Sequence, residues 1–371
     1  MRLASFNVEN LFDRARVMQQ DTWADGKDVL QAFADLNELL GEQKYTDPRK
    51  AEMVRLMRKL GLERSDKGTF VILRRNRGGL LRRPRGGGLI ILAKGRSDWS
   101  GSLELIDAPV NERAMRNTAR VMSDIQADIL AVVEAENRPS LAEFNDQIIS
   151  AVGGEPYDHV MLIDGNDKRG IDVGILTRKG HSISSMRSHV DDKQPNGQYV
   201  FSRDCAQYSV DTPARNTIIV LINHLKSKGY GNTRASNARR KAQATRVAEI
   251  YKQLVNEGKE HVAVVGDFND TPDSDPLSPL IQETNLKDVF EHDEFEDGGY
   301  PGTYGYCRAN QKIDYILLSP ALFDRVERGG LRREGMWPGV KPEPRWAVYD
   351  EVSKPKYAAS DHAALWVDID V

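Results

Sequence analysis

A short apolar run followed at once by polar side chains is the first stretch of this chain that could carry chemistry. Val262–Gly266 is rich in β-branched residues and closed by a glycine, which predicts a buried strand. Because side chains alternate along a strand, Asp267 and Asn269 point the same way while Phe268 turns back to the core. An acid beside an amide at a strand end suits a metal–phosphate site, but it is equally typical of an Asp/Asn turn.

Five further polar clusters follow predicted strands elsewhere in the chain. Each has an ordinary structural explanation when taken singly, such as a capping acid, a turn residue or a buried histidine. Together they are rich in carboxylates and amides and lack paired cysteines, which favours Mg²⁺ or Mn²⁺ over zinc. Two of them contain a histidine able to transfer protons near neutral pH. The five clusters are Asn7 with Glu9, Glu134 with Glu136, Asn223-His224, Asp314, and Ser360-Asp361-His362.

Strands alternate with helices between these clusters, which predicts an α/β domain with a layered sheet core. Helical spacing of apolar residues is found over about 28–60, 111–125, 139–152 and 236–257. The segment from Gly329 to Pro355 is rich in Pro, Gly and Trp, and we predict a loop there. Neither a Gly-x-x-x-x-Gly-Lys loop nor a Gly-x-Ser-x-Gly elbow is present, which disfavours nucleotide-triphosphatase and serine-hydrolase functions.

The segment 67–97 contains nine basic residues and no acid. Glycines and a proline interrupt it, and β-rich flanks enclose it, so we predict a β-hairpin or small meander with an arginine-rich tip. Such a tip suits contacts with a phosphate backbone, and a solvated hairpin or a protein-interaction element is the alternative. Trp99 could stack on a base, although a core tryptophan is the commoner outcome. The arginines are Arg74, Arg75, Arg77, Arg82, Arg83 and Arg85.

Length and composition restrict the domain number and the class of protein only loosely. The 371 residues allow about two domains or one large domain with insertions, and 40% hydrophobic residues suffice for a real core. The net charge of −3 indicates no partner by itself, and the two cysteines, Cys205 and Cys307, cannot build a disulfide framework. No apolar run is long enough for a membrane span or a signal core, so we expect a cytoplasmic protein without membrane association. A monomer is assumed.

In their order and spacing these clusters resemble the endonuclease/exonuclease/phosphatase superfamily, which includes deoxyribonucleases of the pancreatic type. The Asn-His-Leu-Lys-Ser-Lys version at 223–228 is most similar to bacterial nucleases related to extracellular DNases. The resemblance covers the first dozen residues and then about Asn117 to the end. The matching motifs are Ser5–Leu11, Asp128–Asn137, Arg169–Val173, Asn223–Lys228, Gly266–Asp270, Ile313–Ile316 and Ser360–His362.

The resemblance implies a four-layer α/β sandwich of two packed, mainly antiparallel sheets flanked by helices. It implies a single catalytic domain over 1–371, with an insertion of about 28–110 that the family pattern lacks.

The resemblance also assigns roles to residues. Glu134 would be the principal ligand of Mg²⁺ or Mn²⁺, with Asn7 and Asp361 beside it. His362, oriented by Asp314, would activate water or polarise the phosphate. Asp267 and Asn269 would position the nucleophile and stabilise the transition state, and His224 would act near the leaving group. Whether His362 or Asp267 is the general base stays open, and Lys226 and Lys228 hold substrate phosphate or are solvated loop lysines.

These roles predict a metal-dependent nuclease that cleaves DNA, with RNA as an alternative, by in-line attack of an activated water. Arg74, Arg75, Arg82 and Arg83 would contact the polymer. One alternative is a phosphatase or phosphodiesterase that acts on a small-molecule or lipid phosphate with the same site. An alternative of another class is a non-catalytic nucleic-acid-binding module.

Overall fold

The computed structural model describes residues 1–20, 23–167, 170–228, 233–339 and 344–371. The chain forms two compact units. The first comprises Met1–Phe12, Val110–Lys228 and Arg234–Val371, and the second comprises Asp13–Pro109 and Gly229–Thr233. The insertion predicted from the sequence covers about 28–110, whereas the long segment of the second unit runs from Asp13 to Pro109.

Two large mixed sheets build the first unit. The seven-stranded sheet has the order Phe295–Glu296, Val326–Arg332, Ala364–Ile369, Arg2–Asn7, Ile129–Ala135, Asp172–Thr177, His159–Leu162. The six-stranded sheet has the order Ser182–Arg187, Cys205–Asp211, Thr217–His224, Val262–Asp267, Asp314–Leu318, Lys287–Asp288. Most neighbouring strands are antiparallel. The parallel pairs are Arg2–Asn7 with Ile129–Ala135, Thr217–His224 with Val262–Asp267, and Phe295–Glu296 with Val326–Arg332.

The two sheets pack face to face through fully buried aliphatic side chains. Ile129, Ala131 and Val133 from one sheet share a core cluster with Val220 and Ile222 from the other. Alternate residues of the same strands point outward, where each sheet is covered by helix: Glu112–Ile125 on the first and Thr233–Asn256 on the second. This arrangement confirms the predicted four-layer α/β sandwich with mainly antiparallel sheets.

The helices follow from local sequence signals. Asn111 caps Glu112–Ile125, since its side chain accepts a hydrogen bond from the Arg113 backbone N–H at 3.0 Å. The stretch predicted as one helix over 139–152 continues from Arg138–Glu143 into a π-helical turn over Phe144–Ile149. The α-helices are Trp23–Gly41, Asp47–Lys59, Glu112–Ile125, Arg138–Glu143, Thr233–Asn256, Ser278–Ile281 and Pro320–Phe323. No helix within the described residues is long and apolar enough to cross a membrane.

The second unit has a hydrophobic core of its own, built by its two helices and by small two-stranded sheets. Trp99 belongs to this core, where its indole N–H donates to the Tyr45 hydroxyl at 2.9 Å. The strand pairs are Asp13–Ala15 with Asp107–Pro109, Val71–Gly78 with Trp99–Leu105, and Leu81–Arg82 with Ile90–Ile91. The last pair forms the arginine-rich tip predicted from the sequence.

Candidate active site

Strand direction brings the predicted residues of the first unit to one edge of the two sheets. Asn7 ends its strand, and His362 lies just before the antiparallel strand Ala364–Ile369. In the second sheet, His224 pairs with Asp267 in parallel register, and Asp267 pairs with Asp314 in antiparallel register. Side chains that are far apart in sequence therefore meet at the ends of their strands.

A buried carboxylate orients His362. Its Nδ1 lies 2.9 Å and 3.1 Å from the two carboxylate oxygens of Asp314, and the Thr303 hydroxyl donates to Asp314 Oδ2 at 2.6 Å. The other ring nitrogen, Nε2, faces Asn7 Nδ2 at 3.5 Å and Asp267 Oδ2 at 4.0 Å. Burial alone would lower the pKa of His362, but the carboxylate of Asp314, with those of Asp361 and Asp267, raises it well above its ordinary value.

Asp267 is held from both sides. Its Oδ1 accepts the Asn269 backbone N–H at 2.8 Å, and its Oδ2 accepts the Asn7 side-chain N–H at 3.2 Å. Burial, and after it the neighbouring carboxylates of Asp314 and Glu134, raises the pKa of Asp267 to about 8. This carboxyl group is therefore a base of suitable strength near neutral pH.

The turn after Asp267 depends on local backbone geometry. Asn269 has a left-handed backbone with φ of 56°, and its side chain donates to the Leu225 carbonyl at 3.2 Å. Phe268 is fully buried and stacks on Tyr315 with ring centroids 4.6 Å apart. The alternation expected from the sequence is thus present, with Phe268 in the core and its two neighbours at the site.

A β-bulge positions Glu134. Asp172 pairs with Ala135 while Val173 pairs with Val133, so Glu134 has no partner residue in this register, and its φ is +65°. Its Oε1 lies 3.5 Å from His224 Nε2, which is also 3.7 Å from Asp267 Oδ2. The carboxylate that follows this left-handed backbone lies beside the buried His224 ring.

The donor set fits a hard divalent cation. Asn7, Glu134 and Asp361 supply oxygen donors of the kind such a cation prefers. Burial, and after it the carboxylates of Asp314 and Glu134, raises the pKa of Asp267 beside them. Asp267, Asp314 and His362 also group within 4.8 Å of one another. In that second group, however, His362 and Asp314 already bind each other through Nδ1, which suits proton transfer better than metal ligation.

A comparison with models of protein families identifies the family of this chain. Residues 100–329 match the model of the Endonuclease/Exonuclease/phosphatase family, which is more than half of the chain. The chain belongs to the endonuclease/exonuclease/phosphatase family. It is therefore a hydrolase of this class. Glu134, His224, Asp267 and Asp314 lie inside the matched range, whereas Asn7, Asp361 and His362 lie outside it and join the site through the fold.

Solved structures are similar to this chain. A mannosyl-6-phosphatase of Bacteroides thetaiotaomicron VPI-5482 is 16% identical over 70% of this chain and 92% of its own, with a TM-score of 0.50. A truncated Caenorhabditis elegans TDP2 is 18% identical over 70% and 91%, at 0.47, and the human Nocturnin catalytic domain with bound sulfate is 15% identical over 70% and 86%, at 0.45. At 16% identity, the likeness to the mannosyl-6-phosphatase concerns the fold alone. No curated protein matches the chain by sequence.

One loop of this family member, which follows His224, carries both lysines predicted to hold phosphate. The Lys226 backbone N–H donates to Gln243 Oε1 at 2.8 Å, and Lys228 forms an ion pair with Asp270. Asp270 also binds Arg240, a residue that sequence analysis missed because nothing in a helical pattern marks one arginine as buried.

Sequence analysis also missed two residues beside His362. Thr303 accepts the Asp314 backbone N–H at 3.0 Å while it donates to the Asp314 carboxylate. The Tyr304 ring lies 4.9 Å from the His362 ring, and the carboxylate of Asp361, together with burial, raises the pKa of Tyr304. The Gly-Thr-Tyr-Gly run at 302–305 is the only signal that marks this turn in the sequence.

The remaining predicted residues lie elsewhere. Arg74, Arg75, Arg82 and Arg83 are in the second unit. Arg169, part of the motif at 169–173, lies outside the described residues. Asp172 from the same motif is buried and accepts the Gly165 backbone N–H at 2.8 Å, and burial raises the pKa of Asp172 to about 6.

Proposed function

We propose that this protein is a nuclease that hydrolyses phosphodiester bonds, with DNA as the expected substrate, and that it depends on Mg²⁺ or Mn²⁺. One observation carries the proposal. The buried Asp314–His362 pair turns His362 Nε2 toward Asp267 Oδ2, 4.0 Å away, so a proton donor and a proton acceptor face the same space. A water and a phosphate placed there meet the two groups that an in-line displacement needs.

The pKa directions assign the proton steps. With its pKa near 8, Asp267 accepts the proton of the attacking water as the oxygen–phosphorus bond forms. With its pKa raised well above the ordinary value, His362 keeps its proton and donates a charged hydrogen bond to a non-bridging phosphate oxygen. His224 stands near the leaving oxygen, whose bond to phosphorus breaks, and Asn269 supports the turn that holds Asp267.

Glu134, Asn7 and Asp361 would hold the cation. Asn7 Oδ1 accepts the Glu9 backbone N–H at 3.0 Å and retains a second lone pair for a ligand. A divalent ion bound by these residues would supply positive charge that neutralises the developing charge on phosphate oxygens. The choice of a polymer as substrate rests on the arginine-rich strands of the second unit, since the same catalytic groups can serve a small phosphate ester.

A substrate panel tests the reaction. The purified protein is incubated with supercoiled plasmid, a labelled single-stranded oligonucleotide, an RNA of the same sequence, and a phosphomonoester such as an inositol phosphate, with Mg²⁺, Mn²⁺ or EDTA. We expect DNA cleavage with either cation and none with EDTA. Turnover of the phosphomonoester without cleavage of any nucleic acid would contradict the nuclease proposal, and binding without any turnover would indicate the non-catalytic module.

A matched pair of glutamates tests the cation site. Glu134→Gln removes the proposed principal ligand, so activity should fall by about 10²- to 10³-fold and the cation concentration for half-maximal rate should rise. Glu136→Gln is the control, because Glu136 Oε1 serves the Leu11 and Phe12 backbone N–H groups, and glutamine keeps that acceptor. Equal losses of activity in the two variants would refute the assignment of Glu134 as a cation ligand.

A further inference from the structure

The arginines of the hairpin segment fall into two groups. Arg74 Nε lies 2.5 Å from Glu104 Oε2, and Arg75 and Arg83 lie 2.6 Å and 2.8 Å from the carboxylate oxygens of Asp66. Arg83 also donates to three backbone carbonyls, of Leu62, Glu63 and Ser65. These three arginines are therefore engaged in contacts within the second unit. They are poorly placed to bind a ligand, although the sequence predicts all of them as polymer contacts.

Arg77, Arg82 and Arg85 are different. All three side chains are exposed, and within the described part of the chain none forms a hydrogen bond or ion pair. They belong to a run that has no acid between positions 67 and 97. Of the acids that flank this run, Asp66 is paired with Arg75 and Arg83, and the Asp98 carboxylate accepts the Lys94 backbone N–H at 2.6 Å. The segment therefore presents uncompensated positive charge.

Exposed apolar side chains lie beside this charge. Arg82 pairs across the strands with Ile90, and Leu81 pairs with Ile91. Leu81 and Ile91 are buried in the core of the second unit, so Arg82 and Ile90 project from the opposite face. Ile90 is 42% exposed and Leu92 is 49% exposed, two of only six large hydrophobic residues that are so exposed within the described residues.

The turn between these strands is open. Gly87 and Gly88 have φ of 93° and 88°, which requires glycine, and a Cβ placed on Gly86, Gly87 or Gly88 would meet nothing within 4 Å. Backbone without side chains can approach a sugar–phosphate chain closely.

We infer that the basic–apolar face, defined as the exposed side chains of Arg82, Ile90 and Leu92 together with Arg85 in the adjoining turn and Arg77 in the preceding strand Val71–Gly78, binds nucleic acid. The inference rests on the proposed function. The arginines contact phosphates without regard to sequence, and the aliphatic side chains contact sugars and bases. Since the chain connects the second unit to the first at Phe12–Asp13 and at Pro109–Val110, polymer bound by this face stays at a high local concentration for the active site.

Binding measured without catalysis tests the face. The full chain is titrated with a labelled DNA duplex and a labelled single strand in EDTA, from 50 to 200 mM salt. The slope of the logarithm of the association constant against log[salt] is negative. For the Arg77→Gln/Arg82→Gln/Arg85→Gln variant its magnitude should fall by about 3, one unit for each lost phosphate contact. The control is Lys179→Gln/Lys252→Gln/Lys259→Gln, which changes the net charge equally at exposed positions of the first unit and should keep the wild-type slope.

A second variant separates the apolar contribution. Ile90→Ser/Leu92→Ser should weaken binding at every salt concentration while leaving the slope unchanged, because no phosphate contact is lost. Thermal unfolding confirms that each variant is folded. Equal slopes for the arginine and lysine variants, or wild-type affinity of the serine variant, would overturn the inference.

The two proposals can fail separately. If wild-type protein cleaves DNA but the arginine variant keeps the wild-type slope, the basic–apolar face is refuted and the nuclease proposal stands. If the face binds DNA in EDTA as expected but no cation supports cleavage, the proposed reaction is refuted and the face stands.

Discussion

Arg240 and Asp270 form an ion pair that is completely buried. Arg240 Nε lies 2.9 Å from Asp270 Oδ2, with 0% and 2% of the two side chains exposed. The same guanidinium donates to the Lys226 backbone carbonyl and, at 2.7 Å, to Asn237. One side chain of the long helix Thr233–Asn256 thus joins the loop after His224 to the loop after Asp267.

Removing the Arg240 side chain should therefore damage both loops. In Arg240→Met, Asp270 keeps a buried charge whose remaining ion-pair partner among the described residues is Lys228, which is half-exposed. We expect a loss of about 3–5 kcal/mol in the free energy of unfolding. Urea denaturation measures it. Lys228→Met is the matched control, since it removes the half-exposed partner of the same carboxylate and should cost about 1 kcal/mol or less. A similar small cost for both variants would show that burial does not distinguish the two pairs.

The Asp314–His362 pair predicts a change in the pH profile. Asp314→Asn removes the carboxylate that raises the pKa of His362, so the basic limb of the rate profile should move to lower pH. We also expect kcat to fall by roughly 10²- to 10⁴-fold, because the histidine loses its orientation and its proton. Steady-state rates from pH 5 to 10 measure both effects.

Thr303→Ser is the control for this pair. It keeps the hydroxyl that donates to Asp314 Oδ2, so the profile should stay in place. If the basic limb of the Asp314→Asn profile lies at the wild-type pH, the titration of His362 does not determine that limb.

The burial of Asp267 predicts how stability depends on pH in the cation-free protein. Its pKa is raised to about 8 in the folded state, above the ordinary value of 3.8, so the folded chain binds more protons than the unfolded chain between these values. Stability should consequently fall as pH rises from about 4 to about 8. His362 acts with the same sign, since its raised pKa contributes stability that is lost as pH rises through the folded value.

Asp267→Asn isolates the contribution of this carboxyl group. With EDTA present, denaturant unfolding at a series of pH values should give a flatter curve for the variant. At pH 8 its free energy of unfolding should exceed that of the wild type by on the order of a few kcal/mol, since no charge is then buried. Parallel curves for the two proteins would contradict the raised pKa.

The strand ends, and with them most residues of the candidate site, could be predicted from the sequence. Asn7, His224 and Asp267 each follow a run of buried β-branched or aliphatic residues, and alternation correctly placed Phe268 in the core. Such patterns are local in sequence, so they can be recognised without knowing which strands pair with each other. The order of the polar clusters resembles that of the endonuclease/exonuclease/phosphatase superfamily, and the predicted sheet architecture came from this resemblance.

Features that depend on tertiary partners could not be predicted. Gly329 and Gly330 suggested a loop, yet they lie in the strand Val326–Arg332, where a Cβ on Gly329 would come within 2.7 Å of the Phe295 ring. The glycines make room for an aromatic neighbour rather than ending the strand. Likewise, the bulge at Glu134 follows from the register of its neighbouring strand, and the ion pairs of Arg75 and Arg83 require Asp66 to be close in space.

Gly266, which precedes Asp267, has the strictest local requirement at the site. Its φ is +123°, and a Cβ would lie 2.0 Å from the Asn223 carbonyl oxygen on the neighbouring strand. Gly266→Ala should therefore separate the two strands that carry His224 and Asp267, with a loss of about 3 kcal/mol or more and little remaining activity. Gly258→Ala is the control, because φ there is +80° but a Cβ meets nothing within 4 Å, so only the backbone cost of about 1–2 kcal/mol applies. Denaturant unfolding and nuclease assays of both variants measure the difference, and an active, stable Gly266→Ala protein would show that the two strands can move apart without disturbing the site.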